Sequence, residues 1–574
     1  ERRWAGIEDS ARLRDALGVP LPIGVPAAFI EPVDDPVGDL VSRYARTHGP
    51  FTLADAAARF GLGTAVVNDT LRRLAADRRV VDGEFRPGAS GTEWCSVDVL
   101  RRLRSRSLAA LRQEVEPVSH ATLGRFLPAW QHVSAAGDSL RGIDGLAQVI
   151  DQLAGYSAPA SAWENFILSA RVRDYSPAWL DELTTSGEVV WAGQGALAGS
   201  DGWISLHPAA TAALTLPEPD RDGLSELQQS ILEALAGGGA FFFRQLSNQV
   251  GSTDDKVLLK ELWDLVWRSL ITNDSFAPLR AHLGGTVRVT RAPRPARARA
   301  YRGRVSTVMQ AGPPSASGRW ALLETAESET TVRAKSTAEL MLERHAVVTR
   351  GAVVSEGIRG GFALTYRVLS GFEETGRARR GYFIEGLGAA QFATGATVDR
   401  LRGFTRDPDA APQLLAITLA ATDPANPYGA ALGWPGLGGE DAGSEGGDAA
   451  AAAGAASSGA GAAGKASSGA GPAGDDADSP KKHRPGRKAG AIVVMVDGHL
   501  ALYLERGGKS LLAFDLEPAV VDAATRSLTS TLRGTLPKLR IEKVNGDFAV
   551  GTPVGKALVE AGFVATPQGL RLRA

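Results

Sequence analysis

The chain has 574 residues, of which 44% are hydrophobic and 22% charged, with a formal net charge of -1. That length implies several globular domains, and the near-neutral balance excludes a nucleic-acid binder held by bulk charge while leaving room for local basic patches. One cysteine, Cys95, supports neither a disulfide framework nor a CxxC zinc site.

No apolar run approaches the roughly 20 residues needed to span a bilayer, and no signal segment is visible. A cytoplasmic protein without a membrane partner is expected. The chain opens Glu1-Arg2-Arg3-Trp4 without Met, as a portion of a longer protein would.

After a lead-in over 1–36, residues 37–97 predict a winged helix. Val37, Leu40, Val41 and Tyr44 fall at i, i+3, i+4 and i+7, one apolar helix face. Gly49-Pro50 breaks that helix, and Thr52 caps a second one carrying Leu53, Ala56, Ala57 and Phe60. Gly61 stands at its C-terminus, and Thr64 caps a third helix with Val67, Leu71 and Leu74 inward. Arg79–Phe85 then reads as two short strands around Asp82-Gly83. Residues 98–158 form a helical, winged-helix-like connector.

A second clear copy spans 221–300. Leu227, Ile231, Leu232 and Leu235 mark its first helix, Phe243 to Val250 its second, and Leu258, Leu259, Leu262 and Leu265 its third. Leu270-Ile271-Thr272 is the first wing strand, with Asn273-Asp274 at the turn. Weaker copies lie at 159–220, with a helix at 177–186 followed by two strands, and at 301–400, where Leu340 to Val348 and Phe362 to Phe372 read as helices before Tyr382-Phe383-Ile384. Residues 436–490 are a Gly/Ala/Ser linker too poor in apolar surface to order. It ends in the basic run Lys481–Lys488, read as a flexible tether. Strands resume at Ala491–Val496 and Leu500–Leu504 around Asp497-Gly498, and a helix is expected over Val520–Leu532. With 401–435 these form a β-barrel-type module over 491–574. The fold class is α+β: tandem winged helices, four visible with the connector as a candidate fifth, and a small β-barrel.

A P-loop would need GxxxxGK[ST]. Gly508-Lys509-Ser510 matches its end, but Tyr503 replaces the first glycine, and Gly464-Lys465 is followed by Ala466. The sequence therefore carries no ATPase of its own. Histidines are scattered without HExxH, and no metal site is expected.

Arginine clusters carry the binding candidates. The run from Arg291 to Arg304 holds six arginines, Arg291, Arg294, Arg297, Arg299, Arg302 and Arg304, with Tyr301 available to stack on a base. A solvated extended linker is the alternative. Arg72, Arg73, Arg78 and Arg79 lie on or just after the third helix of the first winged helix, where recognition helices face the major groove, and an ordinary solvated face is the alternative. Arg101, Arg102, Arg104 and Arg106 read as a charged helix face, and Trp263 with Trp267, i and i+4, as core. Glu385 and Gln391 sit on a candidate wing hairpin, where polar residues can read a flipped base or simply shape the turn.

Several segments resemble the C-terminal region of Lhr, the bacterial large helicase-related family. They are Leu262–Trp267 with Thr272–Arg280, Arg379–Phe392 and Val496–Lys509. The resemblance implies a string of winged helices with a β-barrel, similar in fold to the AlkZ group of DNA glycosylases. It also implies a motor in cis, upstream of this region. Lhr proteins are ATP-dependent 3′-to-5′ translocases that unwind RNA:DNA hybrids, so ATP and Mg belong to that motor and no cofactor to this chain. Homo-oligomers, tetramers especially, are implied as well, and uracil-DNA glycosylase activity is attributed to this region in some members. AlkZ enzymes rely on a Gln-hydrophobic-Gln (or Asp) motif, and no Gln here has Gln or Asp two residues on. Base excision would then need another acid to activate or orient water, with Glu385 and Asp497 the candidates.

Three functions follow as expectations: a non-motor module of a repair helicase that binds DNA or an RNA:DNA hybrid and oligomerises, a monofunctional glycosylase on the same scaffold, or a pure assembly platform.

Overall fold

Thr52 begins the second helix of the first winged helix through a reciprocal cap. Its hydroxyl accepts from the Asp55 amide at 3.2 Å, and the Asp55 carboxylate accepts from the Thr52 amide at 2.8 Å. The helix Leu53–Phe60 closes at Gly61, whose φ of 67° suits glycine. The structure, a computed structural model, describes residues 5–86, 88, 91–113, 116–133, 139–284, 312–327, 329–406, 414–436, 484–536 and 539–572. It divides into two units, Glu1–Val115 and Glu116–Ala574.

In the first unit, helices Pro36–Thr47, Leu53–Phe60 and Thr64–Ala76 pack around Val41, Ala56, Val67 and Leu71. Gly63, not Thr64, occupies the cap of the third helix, and no side chain bonds there. The wing also departs from the expected Asp82-Gly83 turn. Asp82 and Gly83 belong to the strand Val80–Gly83, and its partner is Glu93–Ser96, with Phe51–Thr52 on the far edge. Glu93 sets that wider connection. It is fully buried and accepts from the Phe85 and Arg86 amides, both at 3.0 Å, while the Arg86 side chain pairs with it. A helix Val97–Gln113 closes this unit, so the expected connector 98–158 is divided between the two units.

The second unit begins with the helix His120–Trp130. Its first winged helix starts inside the expected connector, with the helix Gly142–Gln152, and continues through Ala158–Pro159, a run of helical turns over 160–171 and the helix Pro177–Thr185. Strands Val189–Ala196 and Gly202–Pro208 make its wing.

The next winged helix uses Glu226–Ala236, Phe243–Gln249 and Asp255–Trp267. Its strand Ile271–Asn273 pairs with Arg319–Leu322, not with a strand just past Asn273-Asp274. This domain therefore closes at 322 instead of 300, and the arginine run 291–304 falls between its two wing strands in the chain. The last winged helix is built from Thr330–His345, Arg350–Ser355, Gly361–Glu374 and the strands Arg379–Gly381 and Gln391–Ala393. Its first helix stops at His345, short of the expected Val348. Ala346 has φ 61°, and Val348 instead bridges to Phe392.

Past 414 a six-stranded sheet runs in the order 416–420, 492–496, 499–504, 510–513, 543–544, 547–548. Helix Pro518–Thr535 covers it, and a smaller sheet of 540–541, 569–572 and 563–566 shares the same apolar core. Among the described residues no strand pairing joins the ends of the six-stranded sheet, so the expected barrel is not closed by these hydrogen bonds. The linker's basic end is also not wholly a tether, since residues 484–490 are docked (below). No helix of the described residues is long and apolar enough to cross a membrane.

Candidate nucleic-acid interface

The helix Thr64–Ala76 buries Val67, Thr70, Leu71 and Leu74, which leaves Thr64, Ala65, Asp69, Arg72 and Arg73 exposed. Arg73 pairs with Asp35 at 3.1 Å, but both side chains stay about half exposed, so water screens the pair and a phosphate can compete for the guanidinium. Arg72 and Arg79 are exposed and have no ion-pair partner among the described residues. Arg72 and Arg73 thus lie on the solvent side of the third helix, and Arg79 follows its end, also exposed.

The corresponding helices of the second unit are not equivalent. Pro177–Thr185 carries Asp181 and Glu182 and no cation. Arg280 binds Asp181 and Glu164, each at 2.7 Å, which ties this helix to the next domain. The C-terminal end of Asp255–Trp267 is pressed on the neighbouring wing. A Cβ at Gly193 would lie 2.3 Å from the Val266 carbonyl, and one at Gly202 would lie 2.5 Å from the Trp267 ring. Trp191 donates to the Asn273 carbonyl at 2.9 Å and Thr272 to the Trp191 carbonyl at 2.7 Å. That wing is committed to packing. The last winged helix leaves three arginines open: Arg367 on Gly361–Glu374, Arg379 on the wing strand and Arg350 at the start of Arg350–Ser355 are exposed, with no ion-pair partner among the described residues. Sequence reading missed these three because they lie on separate elements, far apart in the chain and in no long basic run.

The catalytic candidates do not meet in one site. Gln391 is fully buried; its oxygen accepts from the Phe383 and Ile384 amides, and its nitrogen donates to the Ile384 and Gly388 carbonyls. With all four capacities used, it staples its own hairpin and has nothing left to address a base. Glu385 is exposed on that hairpin; its backbone amide donates to the Val118 carbonyl, and its carbonyl accepts from His120. Asp497 sits at a strand turn with φ 48°, between Arg125 at 3.5 Å and Arg406 at 2.5 Å. The second is a close ion pair, not an aligned hydrogen bond. Both of its neighbours are cations, and the turn holds it against the helix His120–Trp130 through Arg125. Arg291, Arg294, Arg297, Arg299, Tyr301, Arg302 and Arg304 lie outside the described residues.

Buried polar groups that the sequence did not announce join the domains of the second unit. Arg171 and Asp423 pair with both side chains fully buried. Arg487, just past the linker, donates to the carbonyls of Thr422, Asp423, Asn426 and Tyr428 and contacts the Tyr156 hydroxyl. Burial alone would raise the Glu356 carboxyl, but Arg344 and His345 beside it hold it below the usual carboxylate range. Among the described residues no group of three or more His, Cys, Asp or Glu is placed to hold a metal ion.

Three family models described as large helicase-related protein, winged-helix domain, match the chain. The third such domain matches residues 118–209, the fourth 327–413 and the second 1–32. A protein of Mycolicibacterium smegmatis named Lhr helicase/probable uracil glycosylase is 48% identical over 588 residues. One of Escherichia coli named Lhr helicase/uracil glycosylase is 37% identical over 598 residues. Each alignment covers 99% of this chain but 36% of the relative, so the chain spans about a third of the length of the relatives it matches. Together with the tandem winged helices, these matches place the chain in the large helicase-related family, Lhr, as its C-terminal region.

Proposed function

We propose that this region is the non-motor, nucleic-acid-handling module of a DNA-repair helicase, binding DNA or an RNA:DNA hybrid while a helicase core in cis performs the ATP-dependent work. The observation that carries the reading is the open cationic face of Thr64–Ala76, where Arg72 and Arg73 project from a recognition-position helix and Arg79 follows it. Arg350, Arg367 and Arg379 are further exposed arginines in the other unit, available for phosphate contacts in this proposal. The arginine run 291–304, set in the chain between two wing strands, supplies further phosphate contacts in this proposal. Assembly into a homo-oligomer, a tetramer by family resemblance, belongs to the same proposal.

Binding is tested by titrating labelled duplex and hybrid at several salt concentrations. For duplex DNA, log K should fall linearly with log salt, with a slope shallower by about 0.9 for each phosphate contact removed. The double variant Arg72→Glu, Arg79→Glu should weaken binding across sequences. Binding by that variant equal to the parent, with the same salt slope, would remove the first helix from the interface. Light scattering on the purified chain checks the oligomer.

A second reading is favoured by the names of both relatives, which include uracil glycosylase. Incubation with uracil-containing DNA in EDTA without ATP, then alkali, tests it. Uracil-dependent scission abolished by Glu385→Gln would support this reading and assign the acid. Absence of scission, with binding retained, would leave the binding module alone.

A further inference from the structure

Away from the recognition helices, the second unit holds a cavity of about 520 Å³ between the winged helix over 142–208 and the one over 330–393. Leu214 and Thr215 line one side, and Thr337 and Leu340 of the helix Thr330–His345 line the other, with Ile358 and Leu364 from the turn and helix that follow. Its volume lies within the roughly 300–1,000 Å³ of small-ligand pockets, and its walls mix apolar side chains with hydroxyls, as such sites do.

Three arginines reach this cavity, and no role described above uses two of them. Arg333 and Arg359 come from different elements and converge on one carboxylate, Glu218, which also lines the cavity. Arg333 approaches it at 3.7 Å, and Arg359 is in closer contact. Arg359 and Glu218 are more than half exposed, so their pairing is weak and exchangeable. Deeper in, Arg344 is 4% exposed. It binds Glu356 and the Ala154 carbonyl, and its Nε has no hydrogen-bond partner among the described residues. Two guanidiniums gathered around an oxygen anion form a phosphate-recognising arrangement, and Glu218 occupies the position that a phosphate would take.

We propose that this cavity binds a nucleoside monophosphate, its phosphate replacing the Glu218 carboxylate between Arg333 and Arg359 and its base entering between Leu214, Leu340 and Ile358. The same chemistry is presented by a free nucleotide and by a nucleotide everted from a strand. The site stands apart from the arginines of Thr64–Ala76 and does not depend on them.

The test is calorimetric titration of the full chain with dUMP and AMP at low salt, with uridine as the phosphate-free control. A parallel titration uses a single strand carrying 2-aminopurine, read by fluorescence. Saturable binding of a mononucleotide is expected, weakened about tenfold or more by Arg359→Glu and strengthened several-fold by Glu218→Gln. Arg72→Glu should leave it unchanged, which separates this site from the duplex interface. Both altered side chains of the cavity are exposed, and melting curves matching the parent would show that the fold persists. A strand that competes for the cavity assigns the everted nucleotide, and one that does not assigns the free one. No saturable binding of either probe, or binding indifferent to both Arg359→Glu and Glu218→Gln, overturns the proposal.

Discussion

Arg171 and Asp423, 252 residues apart in the chain, form a two-pronged ion pair at 3.0 and 2.7 Å with both side chains fully buried. Gln131 and the Ile167 carbonyl take further guanidinium hydrogens, and the Ala425 amide donates to Asp423. Removing either partner strands the other charge in a dry interior, which costs about 3–5 kcal/mol. Arg171→Met and Asp423→Asn should each lower the unfolding free energy of the second unit by that order, read from denaturant unfolding. The double change should cost clearly less than the sum of the two. Additive losses would show that the pair is not coupled.

Acid should destabilise the second unit before its carboxylates titrate. His207 is buried between the Ser205 and Thr215 hydroxyls, each at 2.7 Å, and burial lowers its pKa to about 3. His132 and His282 are shifted in the same direction, also chiefly by burial. A depressed histidine is neutral when folded but takes a proton once unfolded. The unfolded chain therefore binds more protons below about pH 6.5, and stability falls as pH falls through that point. The slope from His207 alone approaches about 1.4 kcal/mol per pH unit. Urea unfolding at pH 7.0, 6.0 and 5.0 should show this decline. His207→Gln, which keeps a hydrogen-bonding side chain, should reduce the slope. An unchanged slope in that variant would assign the acid sensitivity elsewhere.

The two ends of the Gly/Ala/Ser linker meet at one side chain. Trp434 stacks edge-on against Tyr503, with ring centroids 5.5 Å apart, and the Tyr503 hydroxyl donates to the Gly486 carbonyl at 2.9 Å. Strands Ala416–Ala420 and Ile492–Val496, on either side of the linker in the chain, pair with each other directly. Replacing 437–483 with a short Gly/Ser loop should therefore preserve stability or raise it slightly, because loop-closure entropy grows only as about (3/2)RT ln n. Arg487→Ala in the same background should lose stability through its emptied carbonyl cage. A shortened chain that melts well below the parent would give the linker a structural role.

What the sequence disclosed was local. Thr52, Gly61 and the 3.6-residue spacing of Val67, Leu71 and Leu74 define their helices by near-neighbour chemistry, so those helices were legible. Non-local bonds were not. Glu93 widens the first wing by accepting amides of 85 and 86, and a strand at 319–322 closes a wing begun at 271. Gln391 resembled a base-reading residue because its type and hairpin setting fit, yet the amides of 383 and 384 consume it. Arg487 looked like one more charge in a basic run until the carbonyls of 422–428 came into reach. Composition cannot tell a free arginine from a caged one; only the fold supplies the partners.

A pair of glycine substitutions should act in opposite directions. Gly124, on the helix His120–Trp130, meets the Asp497-Gly498 turn so closely that a Cβ would stand 2.0 Å from the Gly498 carbonyl oxygen. A Cβ on Gly498, at φ 84°, would stand 2.1 Å from the Ala121 carbonyl oxygen. Backbone on both sides cannot rotate away as a side chain could, so Gly124→Ala must push the turn off the helix. That overpacking should cost about 1–3 kcal/mol. It should also loosen the Arg125 contacts to Asp497, and the Tyr428 hydroxyl bond to the Gly498 carbonyl. Gly371 lies within the helix Gly361–Glu374, has ordinary helical geometry and meets nothing within 4 Å. Gly371→Ala should therefore stabilise by about 0.5–1 kcal/mol. Chemical unfolding of both variants beside the parent decides the matter. A Gly124→Ala chain as stable as the parent would mean that the turn does not dock so closely on this helix, while the Gly371 variant shows whether the assay resolves a change of this size.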